Sequence, residues 1–563
     1  MMKKTRQKET VENAFLKNWQ IYCCIALAGF LVYAKTVFFD FTYFDDNTLI
    51  LDNAHFLGKL SNILEAFKQD AFYISQSSSG FYRPLLTATF ILNAQIAGTS
   101  PFIYHLTNIL LHLLASCLLY LLLAKLQYKK EPAFLAAMLF SVHPALTQTV
   151  AWIPGRNDSL LAVFIFTAFI CFLRYQETGA RKHLIFHLLA FGAALFTKET
   201  AAVLVPVSLV YLFIVLRRKA LPSKDKYLVA GWFFCGFAWF FIRASALAGS
   251  PKMAFSAMAR SIMESLHATV PYLGKIFLPF DLSVQPVLQD LPFLYGFISI
   301  LVLAALIFAS RGKRNAYIYF GLTWFLLFLW PSFVSGDAKV QQSFYEHRLY
   351  VPIVGVLLVL LESRPVAWIC EERTRFFVSG APLLVAAALL TFQHSGNFRN
   401  RSVFFQSAIQ SSPHNPGAHN NMGLTYFYER QFDRAEAELR RALELGPSQP
   451  KIHNNLGLVY LNSNRLPQAE AEFQKEIEAF PNSDVPTFNL GLLYVKVGRS
   501  ADAETYWKRT IELNPAHIEA HYNLAKLYYS KKDLAGAAYY VKALVDRGVT
   551  KLPPELLGLL SAK

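Results

Sequence analysis

Charge is scarce in this chain: only 16% of its 563 residues are Asp, Glu, Lys or Arg, against 54% that are hydrophobic. With a mean hydropathy of +0.31, that shortage excludes an ordinary soluble domain and places the sequence among polytopic membrane proteins. Cysteine is also sparse. The six cysteines (Cys23, Cys24, Cys117, Cys171, Cys235, Cys370) sit in or beside apolar runs with neither metal-like nor redox spacing. They read as small core residues and carry no information on compartment. No clear cleavage site follows the first apolar run, residues 21–39, so a retained signal-anchor is expected. There is no carboxylate cluster suited to a divalent ion, and no metal cofactor is expected.

The charge that is present is unevenly placed. The net charge of +16 could suggest nucleic acid, but the basic residues fall in short clusters between apolar runs. Examples are Lys3-Lys4, Lys125/Lys129/Lys130, Arg181-Lys182, Arg217-Arg218-Lys219 and Arg311/Lys313/Arg314. That alternation is positive-inside topology, and no nucleic-acid partner is expected. With basic clusters inside, residues 1–18 are cytoplasmic, residues 19–394 form a polytopic domain of about eleven spans, and 83–98 is a second surface helix. Residues 265–280 could span, but a flat placement keeps the Arg311 cluster inside. The same alternation puts Asp45 and the C-terminal third on one external face, in the pattern of an integral protein of a bacterial inner membrane with both facing the periplasm.

From residue 402 a 34-residue period appears. It links Gly423, Gly457, Gly491 and Ala525, and likewise Asn421/Asn455/Asn489/Asn523, Tyr426/Tyr460/Tyr494/Tyr528, Ala435/Ala469/Ala503/Ala537 and Pro413/Pro447/Pro481/Pro515. Five registers sharing one period identify tetratricopeptide repeats, paired helices stacked into a solenoid. The expected fold class is therefore all-α: a polytopic membrane domain, a linker at 395–401, a repeat domain at 402–550 with three full repeats and partial ones, and a tail at 551–563.

The stretch that organises the membrane half is residues 38–83. It sets adjacent carboxylates, Asp45 and Asp46, a few residues beyond the first apolar run, where acidic groups are costly unless used. Apolar residues at Leu57, Leu60, Ile63, Leu64 and Phe67 have the spacing of a helix on the membrane surface. The first external loop, 40–83, thus presents a carboxylate pair against the bilayer.

Six stretches occur in a telling order: FTYFDDNTLI, YRPLLTATF with YHLTNILLHLLASCLLY, HPALTQTVAWIPGRNDSLL, FTKETAAVLVPVSLVY, LPFDLS and EHRLYVP. Followed by repeats, they resemble the transmembrane and TPR-containing O-mannosyltransferases of the C-type glycosyltransferase superfamily, which includes bacterial relatives. The resemblance implies an inverting glycosyltransferase using a polyprenyl-phosphate sugar, mannose in the family's name, with its active site on the external face. The acceptor it implies is a protein Ser or Thr hydroxyl, or else a glycan. Such a transfer needs one base to take the acceptor proton, whereas a glycosidase needs two carboxylates facing each other across the bond. Adjacent aspartates point different ways and suit a base-plus-orienter division. As the family's acidic pair implies, Asp45 is the expected base and Asp46 an acceptor or structural ligand.

The leaving phosphate needs external cations. The candidates are Arg83, His143, Arg156, Lys198 and Arg348, with His105 and Arg243 behind them; Arg156 and Arg348 come first, because arginine grips phosphate through paired hydrogen bonds. Lys198 could instead pair with Glu199, and His112 reads as a satisfied core histidine. The repeat asparagines, Asn421, Asn455, Asn489 and Asn523, resemble the ladder of the nucleocytoplasmic O-GlcNAc transferase repeats. That resemblance implies a groove holding an acceptor backbone, against the plainer reading of a repeat consensus. The rival functions are a lipid-linked glycan ligase or polymerase, and a non-enzymatic membrane-anchored TPR scaffold. The partners expected are the lipid-linked donor, the acceptor and membrane lipids.

Overall fold

The computed structural model describes residues 17–73, 80–248, 254–310, 314–334, 343–547, 549 and 552–560. Most of the N-terminal segment 1–18, Arg311 and Lys313 of one basic cluster, and 335–342 of the expected external loop lie outside them. The described residues form helices joined by short turns, with two isolated β-bridges. The chain divides between Pro413 and His414 into a membrane unit and a repeat unit. The expected linker is instead a 3-10 turn, Gly396–Phe398, and the helix Arg401–Ser411 that follows belongs to the membrane unit.

Among the described residues, six helices are long and apolar enough to cross a bilayer: Asn18–Phe38, Pro101–Lys125, Ile153–Thr178, Ser223–Ala246, Asn315–Phe333 and Arg373–Phe398. A seventh is possible if Lys130–Ser141 and Pro144–Ala151, bent by 52°, count as one span. Pro144 opens the second half, and a proline cannot continue the ladder of the first. The expected count of about eleven is not reached by length, since several apolar runs make short helices. Phe293–Phe308 has 16 residues and Ile353–Leu361 has 9, the latter buried along almost its whole length. A 9-residue helix is about 13 Å long, against a hydrocarbon core of about 30 Å.

Residues 265–280 form no helix long enough to span. They include the 9-residue helix Thr269–Phe277, most of it buried and packed closely on Phe293–Phe308. A Cβ on Gly274 would come within 2.9 Å of the Gly296 backbone. Gly321 and Gly355 allow a similar approach, a Cβ on either reaching the other's carbonyl within 2.5 Å, the small-residue contact that holds helices together in lipid. The apolar face of Ser223–Ala246 stays open, with Phe233, Phe234 and Phe237 exposed as lipid requires. The helix at 84–97 packs Leu86, Phe90 and Ile91 inward. The expected helix at 57–69 is broken into Ala54–Leu57, Asn62–Glu65 and Ala66–Lys68.

The repeat unit holds four complete helix pairs, beginning with Pro416–Tyr428 and Phe432–Leu445 and ending with Ile518–Ser530 and Leu534–Asp546. The fourth repeat, expected to be partial, has both of its helices. The small-residue register explains the pairing. A Cβ on Gly423, Gly457 or Gly491 would meet Leu439, Phe473 or Trp507 at 2.6, 2.5 or 2.3 Å. Each large residue of a second helix fills the space its glycine leaves on the first.

Candidate active site

The loop carrying the aspartates is shaped by its own side chains. After the 3-10 turn Ala34–Phe38 the chain runs extended, and Thr42 donates from its backbone N–H and its hydroxyl to Asp46 Oδ2, at 2.7 and 2.5 Å. This clamp turns the chain into the wide helical turn Asn47–Leu51 and leaves Tyr43 left-handed at φ 57°, an uncommon conformation for a bulky residue. Phe41, Leu49, Ile50 and Leu57 anchor the loop in a cluster with Leu86, Phe90, Tyr104 and Ile153. Asp46 is 1% exposed and its Oδ1 has no partner among the described residues. Asp45, beside it at the tip, is half-buried. Burial and then the neighbouring Asp46 charge push its carboxyl up to about 7, with Arg83 opposing. Asp46 is pushed up by burial to about 6, against its bonds from Thr42.

Aromatic rings wall this tip. Phe44 lies 5.8 Å from Trp152, 6.3 Å from Tyr345 and 6.0 Å from Phe404. Tyr345 stacks on His347 at 5.3 Å, and Trp152 is 5.7 Å from the same imidazole. The cations converge on that histidine. Burial, then Lys198, Arg348 and Arg83, hold His347 well below the ordinary imidazole range. Arg83 Nε, Arg348 Nη1 and Trp152 Nε1 are buried donors with no partner among the described residues. Such groups are expensive unless a ligand meets them. Lys198 Nζ bonds Asp158 Oδ1 at 2.7 Å, so its partner is Asp158; no Lys198–Glu199 ion pair occurs among the described residues.

Of the five cations expected to hold phosphate, Arg83 acts on Asp45 directly, and Lys198 and Arg348 join Arg83 around His347; the other two do not serve. Arg156 is fully buried and already bonded, Nε to Asn108 Oδ1 (2.7 Å), Nη1 to Thr89 Oγ1 (3.1 Å) and Nη2 to the Tyr104 carbonyl (2.7 Å), over the Phe90 ring. It rivets three helices. Residues 152–158 are buried throughout, the 3-10 turn Ile153–Gly155 leading into the helix Arg156–Thr178. In His143, Nδ1 accepts from the Ala145 N–H, so Nε2 carries the proton and donates to the Ile276 carbonyl at 3.0 Å. The ring is thereby neutral and closed to phosphate. His105 is packed against Phe39, and Arg243 bonds the Gly80 carbonyl. His112 is the satisfied core histidine expected, bonded to the Tyr350 hydroxyl and the Ser141 carbonyl.

Sequence reasoning missed Asp158 and His347. Both lie inside motifs it had singled out, GRND and EHRLY, where the choice fell two residues and one residue away.

The repeat asparagines are also corrected. Asn455 and Asn489 are about 95% buried, and donate to Asn420 and Asn454 of the preceding repeat at 2.8 Å in each case. They stitch repeat to repeat and do not line an open row; Asn421 and Asn523 are half-buried.

A multi-spanning helical membrane unit with an acidic–basic site, joined to a tetratricopeptide array, defines the class of this integral membrane protein. Residues 83–242 match the family described as dolichyl-phosphate-mannose-protein mannosyltransferase, and 420–484 and 488–548 match the tetratricopeptide repeat. The chain is similar to the TPR-containing protein O-mannosyl-transferases. It is 35% identical over 180 residues to Tmtc1 of Drosophila melanogaster, covering 32% of this chain and 21% of that protein. It is 26% identical over 403 residues to F38B6.6 of Caenorhabditis elegans, covering 68% and 56%. To TMTC1 of Homo sapiens it is 26% identical over 408 residues, covering 60% and 45%. The chain thus spans between a fifth and just over half of the curated relatives it matches.

Proposed function

We propose that this protein is a membrane glycosyltransferase that moves a sugar, mannose by analogy with its relatives, from a polyprenyl-phosphate donor to a Ser or Thr hydroxyl of a protein. The observation that carries the reading is a half-buried carboxylate raised to about 7 with Arg83, which has an unpartnered guanidinium nitrogen, acting on it, and a second guanidinium with an unpartnered nitrogen, Arg348, 5.6 Å from the Tyr345 ring that walls the same tip. The acceptor oxygen attacks C1 of the sugar, the C1–O bond to phosphate breaks with inversion, and the polyprenyl phosphate leaves with the electron pair. Asp45 takes the hydroxyl proton. Arg83 and Arg348, with Lys198 behind them, stabilise the charge growing on the phosphate. Asp46 holds the loop through Thr42. The raised value of Asp45 suits a general base at neutral pH. The repeats recruit acceptor protein, and the positive-inside pattern supports a site on the extracytoplasmic face, in the manner of a bacterial inner-membrane protein.

The test is transfer from polyprenyl-phosphate mannose to a Ser/Thr peptide by purified full-length chain in nanodiscs. Asp45→Asn keeps the size of the side chain and removes the base, and is expected to lower transfer about 10²–10⁴-fold. Undiminished transfer by a folded Asp45→Asn protein would sink the assignment.

A further inference from the structure

His347 presents a lone pair to this site, and its tautomer follows from its neighbours. Gln148 Nε2 donates to the Val284 carbonyl at 3.0 Å, while Gln148 Oε1 accepts the His347 backbone N–H at 3.2 Å. Those two bonds pin the amide, so the oxygen faces His347 Nδ1, also at 3.2 Å. An amide oxygen only accepts, so the proton is on Nδ1 and the lone pair on Nε2. Lys198, Arg348 and Arg83 oppose a second proton. Nε2 looks across 4.0 Å at Asp158 Oδ2, whose sister oxygen is held by Lys198. Both atoms accept, and no protein donor lies between them among the described residues.

The geometry points to His347 Nε2 and Asp158 Oδ2 as a hydroxyl-reading pair that selects the transferred sugar by two adjacent hydroxyls. A lone hydroxyl has one proton and can serve only one of two acceptors. A vicinal diol, its oxygens about 2.8 Å apart, brings one proton to each. The neighbouring rings fit the same ligand: Tyr345 stacks on His347 and Trp152 lies beside it, apolar faces for the C–H side of a hexose. The Trp152 Nε1 donor is buried without a partner. This inference rests on the glycosyl-transfer reading and adds to it a specificity subsite distinct from the base and the phosphate cations.

The experiment compares polyprenyl-phosphate mannose with its singly deoxygenated analogues, using the full-length protein in nanodiscs. In the wild type, two adjacent positions should each lower kcat/KM about 10–100-fold, the effect of a buried hydrogen bond to a charged or well-placed acceptor. His347→Phe keeps the stacked ring and removes the acceptor; at one of those positions its discrimination should shrink to less than about threefold. Asp158→Asn, which turns an acceptor into a donor, should erase discrimination at the other. A parallel readout is the affinity gained on adding the sugar to polyprenyl phosphate, which should fall in His347→Phe. Even use of all analogues by the wild type, as when the pair holds only water, overturns the inference while leaving glycosyl transfer intact. So does full discrimination retained by His347→Phe. A wild type that neither binds polyprenyl phosphate nor transfers from it overturns the parent reading, and this one with it.

Discussion

The ionisation of Asp45 can be moved in both directions without touching it. Its carboxyl sits at about 7 because burial and then the Asp46 charge raise it, while Arg83 lowers it. A base works ionised, so kcat/KM should fall as pH drops through about 7: roughly half the sites are ionised at pH 7 and about a tenth at pH 6. The acid limb should thus descend about fivefold between pH 7 and 6 and a further tenfold by pH 5. Asp46→Asn removes the like charge and keeps an acceptor for Thr42, so the limb should move to lower pH. Arg83→Gln removes the opposing cation, so the limb should move to higher pH, with a raised donor KM as a second effect. The assay is the pH dependence of transfer to a Ser/Thr peptide, with folding monitored by thermal unfolding at each pH. A limb that stays in place in both variants, with activity still measurable, would refute Asp45 as the titrating base. A limb that moves the same way in both would refute the charge arithmetic around it.

Arg156 and Arg348 should part company. Arg156→Met leaves the Asn108 and Tyr104 oxygens buried without their donor and should destabilise by about 3–5 kcal/mol, read as lost folded yield; Arg348→Gln should fold and lose transfer. Normal yield of Arg156→Met would remove its riveting role. In the repeats, Gly491→Ala places a Cβ 2.3 Å from Trp507 Nε1 and should lower stability by about 1–3 kcal/mol, with Trp507→Phe recovering part of the loss in thermal melts. Replacing Asn455 and Asn489 together by alanine should destabilise the array by about 1 kcal/mol per lost bond. A rise in peptide KM with unchanged melting would return those amides to an acceptor groove.

How much of this protein could be read from its sequence depends on the distance over which each feature is decided. The membrane half and the repeats were legible because hydropathy and a 34-residue period act through neighbours in the chain. Gly457 lies opposite Phe473, and Gly491 opposite Trp507, at the same short offset, so stacking follows from local pattern alone. The placement of Asp45 and Asp46 in a loop just beyond the first apolar helix was legible too. The number of true spans was not, because hydropathy cannot distinguish an apolar helix that faces lipid from one as short and enclosed as Ile353–Leu361.

The site's partnerships were decided only in three dimensions. Lys198 meets Asp158 across 40 positions and His347 meets Gln148 across 199. Arg156 and Asp158, two residues apart on one helix, point to different sides of it, and packing alone chose which became a rivet and which faced Lys198 and His347. The same holds for the asparagines: their period is local, but whether an amide lines a groove or bonds the next repeat depends on how closely the repeats stack.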